Sequence, residues 1–132
     1  TVFELINSYI SDTTAHEELM ANFLEPLQEA SKDLQTAAMY FMENLKNPND
    51  VLSGSYDFMH MMGHVCLGFM WTKMGRASMD ALAAGDTDTD FHKSKIATGR
   101  YYMSRQLPAT KMHLSRINAG SDTVMALDAA HF

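Results

Sequence analysis

Large apolar residues recur every three or four positions along most of the chain, the spacing at which side chains share one face of an α-helix. Near the start Phe3, Ile6 and Ile10 follow this rule and predict a short first helix over residues 2–11. Thr14 followed by Glu17 has the form of a capping box, in which hydroxyl and carboxylate each accept a bond from an otherwise free amide, so a second helix is expected to begin there. Met20, Phe23, Leu27, Ala30, Leu34, Ala37 and Phe41 carry its stripe, and the helix is expected to run to about Lys46. Pro26 lies inside it and predicts a kink or a break, because proline lacks an N–H and its ring clashes with the preceding turn. The cluster Asn47-Pro48-Asn49-Asp50 reads as a turn, and Ser53-Gly54-Ser55 as an interruption near the start of the next helix.

The stretch from Tyr56 to Leu82 is the expected central helix, with Phe58, Met62, Val65, Phe69, Met79 and Leu82 or Ala83 on its core stripe. Gly68 and Gly75 lie one heptad apart on nearly the same side. Each costs about 1 kcal/mol relative to Ala in a helix interior, so their expected use is the close approach of a neighbouring backbone. Gly85 suits the left-handed residue past a helix end, and Asp86, Asp88 and Asp90 are expected to cap the helix that follows. That last long helix carries Ile96, Gly99, Met103, Leu107, Thr110, Leu114 and Ile117 on one stripe, has Pro108 as a second kink, and ends at Gly120. In the tail, Asp122 reads as a cap and Val124, Met125 and Leu127 as a short apolar plug. No segment alternates as a strand would. The predicted fold is all-α: an up-and-down helical bundle of three long helices plus a shorter N-terminal helix, forming a single domain over residues 1–132.

A hydrophobic content of 46% with 20% charged residues excludes a disordered chain, and no window approaches the roughly 18–20 uncharged residues that span a bilayer. No membrane partner is expected. The opening TVFELINSYI has neither a basic leader nor an initiator Met, so it reads as a cut inside a longer protein. Cys66 stands alone, which excludes an intrachain disulfide and suits a cytoplasmic location. Charge is segregated: Glu4, Asp12, Glu17, Glu18, Glu25 and Glu29 occupy residues 1–30 without a Lys or Arg, whereas Lys93, Lys95, Arg100, Arg105, Lys111 and Arg116 occupy residues 91–118 without an acid. Mutual attraction between neighbouring elements is the expected use. With a net charge of −6 and no recognition motif, nucleic acid is not an expected partner.

Twelve Met and six His raise metal and redox chemistry. His60 and His64, four apart on one helix face with Met59, Met61, Met62 and Cys66 nearby, would suit a free-standing four-helix haem- or copper-binding module. Further ligands are missing from the pattern: only Asp57-x-x-His60 approximates the Glu-x-x-His of di-iron bundles, so a structural or surface role is the expectation and no metal ligand is assigned. Asp86, Asp88 and Asp90 imitate a calcium loop, but Phe91 stands where Gly is needed and Ala97 where Glu is needed. There is no nucleophile elbow or phosphate-binding Gly loop. Glu43 and Asp57 are expected at the solvated surface, for want of a partner in the pattern.

A longer signal is the set Tyr56, Phe58, Met62, Gly63, Gly68, Phe69, Met70 and Trp71, followed by Lys95-Ile96-Ala97-Thr98-Gly99-Arg100-Tyr101-Tyr102, Leu107-Pro108, and Ala119-Gly120-Ser121-Asp122-Thr123-Val124-Met125-Ala126-Leu127 with Phe132. This set resembles the extra C-terminal helical domain of large acyl-CoA dehydrogenases, nearest to the 3-methylmercaptopropionyl-CoA dehydrogenase-like subgroup, with Gly99 and Ser121 standing where Ala is more usual. The resemblance implies a parent oxidoreductase of fatty acid metabolism that binds FAD and desaturates an acyl-CoA thioester between its α and β carbons. It implies that the glutamate base and most flavin contacts lie in preceding core domains, so no catalytic and no cofactor-binding residue is carried onto this chain, and the piece alone is expected to be inactive. Its implied partners are those core domains of the same chain and further copies in a homo-oligomer, with Arg100, Tyr101, Tyr102 and Arg105 as interface candidates because Arg and aromatic side chains anchor interfaces.

Overall fold

A computed structural model describes residues 1–13 and 17–132, with the side chains of Thr13, Glu17 and Met20 also outside the described set. Helix α1 runs over Val2–Thr13, α2 is the single turn Glu17–Leu19, and α3 covers Glu25–Glu43. The short α4 (Pro48–Ser53) precedes α5 (Ser55–Ala83), and α6 (Thr89–Tyr101) and α7 (Ala109–Asn118) complete the bundle. No strand occurs among the described residues. The all-α up-and-down bundle expected from periodicity is the observed architecture. The Thr14–Glu17 capping box lies outside the described residues.

Pro26 and Pro108 act in the same way. A π turn, Met20–Leu24, joins α2 to α3 just ahead of Pro26, and a second, Tyr102–Gln106, joins α6 to the segment ahead of Pro108. Proline leaves the carbonyl four residues back without a donor and crowds it, and one wider turn relieves both. At the second site the Leu107 N–H reaches the Tyr102 carbonyl at 3.0 Å, five residues back, and the helix restarts through the tighter Lys111 N–H to Pro108 O bond at 3.1 Å. The kink or break expected at Pro26 takes the form of a π turn between α2 and α3.

Each π turn brings a large side chain to a glycine of α5. Phe23, in the first, is fully buried, and its ring lies so close to Gly75 of α5 and Gly99 of α6 that added Cβ atoms would stand 2.9 and 2.7 Å from it. Leu107, just after the second, fills the space over Gly68, where a Cβ would meet it at 3.2 Å. The α5 glycines thus admit side chains rather than the neighbouring backbone expected from their spacing. The deepest line of α5 is Met61, Val65, Gly68, Thr72, Gly75 and Met79, rotated toward the glycines from the expected stripe, with Phe58, Met62 and Phe69 half-buried at its edge. Buried Thr72 satisfies its hydroxyl on the Gly68 carbonyl at 2.8 Å.

Helix α5 packs against α3, α6 and α7, while α1 packs mainly on α3 and buries Ile6 and Ile10. Gly54 marks the expected interruption before α5. Gly85 and Gly120 end their helices with φ of +83° and +71°, the left-handed conformation that costs other residues most. The α5–α6 corner is held by Asp86, whose carboxylate accepts the Asp88 N–H at 2.8 Å, while His92 bridges it to Ser78. Asp88, the residue before α6, makes no side-chain cap bond, so the expected capping falls to Asp86.

Among the described residues the expected charge complementarity is seen at one point on α7. Lys111 of α7 meets Glu29 of α3 at 2.6 Å and Asp33 at 3.7 Å. The anticipated apolar plug is a correction: Val124, Met125 and Leu127 are all exposed, because local apolar composition cannot supply a surface to fill. The tail instead attaches at its root, where the Ser121 N–H and hydroxyl both donate to Asp50, at 2.9 and 2.6 Å.

Candidate functional site

The densest collection of titratable groups lies where α5 meets α7. Asp57, at the start of α5, falls one turn before the buried Met61, and His113 falls one turn before the buried Ile117 of α7. The two side chains, each 7% exposed, meet as His113 Nδ1 donates to Asp57 Oδ1 at 2.7 Å, and Arg116 adds its Nε to the same oxygen at 3.3 Å. The solvated position expected for Asp57 is thereby corrected, since a carboxylate enters a core when a donor set meets it there. Glu43 is exposed as expected.

His60 and His64 stack on the His113 ring, with centroids 5.7 and 5.9 Å away, and Tyr56 lies 4.3 Å from His60. Burial, followed by the nearby His113 and His60 imidazoles, pushes the His64 pKa below its usual value. Above His64, the Tyr102 hydroxyl donates to the His64 carbonyl at 2.8 Å, and burial together with Cys66 holds that phenol up at about 12. The i,i+4 histidine pair is therefore real as a face of α5, yet among the described residues no three His, Cys, Asp or Glu side chains converge as a metal-binding group. The Asp57–His113 pair orients an imidazole but presents it to two other rings, with no nucleophile bonded to it. Sequence reasoning missed His113, and its one signal was a polar residue on the buried stripe of the last helix.

The four interface candidates divide. Tyr102 is turned inward, stacked 6.4 Å from Trp71 as well as bonded to His64. Arg100, Tyr101 and Arg105 are exposed, and neither arginine has an ion-pair partner among the described residues. Arg100 and Tyr101 line a cleft of about 400 Å³ with Asn22, Pro26 and Ser104, in the angle between the two π turns. A flavin pyrophosphate needs free backbone N–H groups of the kind a helix N-terminus or Gly-rich loop supplies. The residues of this cleft lie within or between continuous helical turns, and the small pocket beside Pro26 and Leu107 holds only about 40 Å³. Neither of these two pockets presents such a set of free N–H groups to a flavin pyrophosphate.

A family model described as acetyl-CoA dehydrogenase C-terminal like matches residues 2–128. No curated protein matches the chain.

Proposed function

The chain belongs to the acetyl-CoA dehydrogenase C-terminal-like family, and on that premise we propose that it is an accessory packing block for an FAD-dependent dehydrogenase that desaturates acyl-CoA thioesters. The observation that carries this reading is a family match spanning nearly the whole chain. In the proposed enzyme, core domains of the same polypeptide supply the flavin site and the base that takes the α proton, while hydride leaves the β carbon for the flavin. The helical block docks on those domains or on a second subunit of a homo-oligomer. Its chemistry supports a packing role: no buried side-chain polar atom among the described residues lacks a partner, so the interior is committed to holding the bundle together. Arg100, Tyr101 and Arg105 are the proposed docking residues, exposed, with neither arginine ion-paired among the described residues, and of the kinds that anchor interfaces. Tyr102 supports them from inside through its bond to His64. A reducing cytoplasmic setting fits the lone Cys66.

Deleting this block from the parent enzyme tests the reading. Flavin content and acyl-CoA turnover per flavin are expected to persist at low temperature while the thermal midpoint and the oligomer are lost. Loss of flavin reduction by acyl-CoA with an intact oligomer would overturn it.

A further inference from the structure

Helix α5 is apolar on two opposite sides, and only one of them is covered. Opposite the buried line of Met61, Val65, Gly68 and Thr72 runs a second line, Tyr56, Met59, Gly63, Leu67 and Met70, in which the four large side chains are 59, 61, 54 and 49% exposed. At 100° per residue these five fall within a narrow sector, with no charged residue among them. A helix that is apolar all round is one that expects cover on every side.

Gly63 is the second observation. It sits in mid-helix at the centre of this stripe, is exposed, and has no atom of the chain within 4 Å of where a Cβ would stand. Unlike Gly68 and Gly75, it accommodates nothing in the bundle, although glycine weakens a helix interior relative to Ala. An unfilled glycine on an exposed apolar stripe lets the backbone of another helix come close.

Resting on the packing role proposed above and naming its partner, we infer that the α5 stripe is the seat of a two-fold dimer, in which α5 of a second copy crosses antiparallel at Gly63. The stripe is symmetric about that residue. Met59 and Leu67 lie four positions either side of it, Tyr56 and Met70 seven, so a two-fold axis through Gly63 sets Met59 against Leu67 and Tyr56 against Met70 of the other copy. No foreign sequence is needed to make the surface complementary. Side chains of this size expose about 200 Å² each when free, so the four contribute roughly 450 Å² per copy. The pair would bury about 900 Å² from these four side chains alone, just short of the roughly 1,000–1,200 Å² at which specific interfaces begin, a gap left for flanking residues of the seam to close.

Sedimentation equilibrium of the chain, with Met59→Glu and Gly63→Ala variants, tests this. The native chain is expected to dimerise at micromolar concentration, and M59E to raise the dissociation constant at least about 100-fold by burying a charge at the seam. Gly63→Ala separates interface from fold. It is expected to raise the thermal midpoint of the monomeric M59E background, where the helix gains and nothing clashes, yet to weaken the native dimer about tenfold by holding the helices apart. A chain that stays monomeric at about 1 mM, a dimer indifferent to M59E, or a G63A change that tightens the dimer would each overturn the inference. A monomer would leave the packing role itself standing, since that role is read on the parent enzyme with its block deleted.

Discussion

Phe23 and the two glycines that flank its ring permit a sharp test of how the bundle is packed. Replacing Gly75 by Ala in the native background sets a methyl 2.9 Å from the ring tip, in a site where the ring is already seated against Gly99 on the α6 side. Overpacking of this kind costs roughly 1–3 kcal/mol, and the helix gains about 1 kcal/mol from the loss of glycine. The net expectation is a loss of about 1 kcal/mol. Phe23→Leu removes the distal ring atoms that make the contact and should itself cost about 2 kcal/mol for the space left. In that background Gly75→Ala meets no ring, so its sign should reverse to a gain of about 1 kcal/mol. The coupling between the two positions, about 2 kcal/mol, is measurable by urea unfolding of the four proteins in a double-mutant cycle. Gly99→Ala should behave alike. Equal effects of Gly75→Ala in both backgrounds would refute the claim that the glycine exists to admit this ring.

Three further outcomes follow from the α5–α7 site. Asp57→Ala strands a buried imidazole and should lower stability by about 3 kcal/mol in urea, well beyond the effect of an exposed pair such as Lys111–Glu29. His64 has its pKa depressed in the fold, so the unfolded chain takes up the proton first; stability should be full above the ordinary histidine pKa of about 6.5, fall as pH drops from there toward the lower folded pKa, and level off below it, a slope that His64→Asn should flatten in pH-dependent melting. Tyr102→Phe removes the hydroxyl bond to the His64 carbonyl and should cost about 1 kcal/mol, and it should also delete a tyrosinate absorbance step near pH 12.

Much of the fold was legible because helical periodicity is a local property: the core residues Leu27, Leu34, Leu107 and Ile117 were all placed on their stripes by spacing alone. The two prolines were legible as disturbances, but the π turns that resolve them were not, since an i to i+5 bond depends on where Phe23 and Leu107 must land across the bundle. The register of α5 was misread for a related reason. Its glycines, which look like gaps in a stripe, mark its deepest line once side chains from other helices fill them. Asp57 and His113 lie far apart in sequence, and neither carries a local sign of the other. Arg100, Tyr101 and Tyr102 were read as one group, but successive helix positions point apart, and Tyr102 faces the core.

The central claim is that these helices complete a dehydrogenase rather than act alone, and titration of the chain into a parent enzyme lacking it tests this most directly. Calorimetry should show saturable binding that raises the melting point of the truncated enzyme, with the heat reduced by Arg100→Ala or Arg105→Ala. Absence of heat and of any melting shift, together with flavin binding or thioester desaturation by the chain itself, would contradict it.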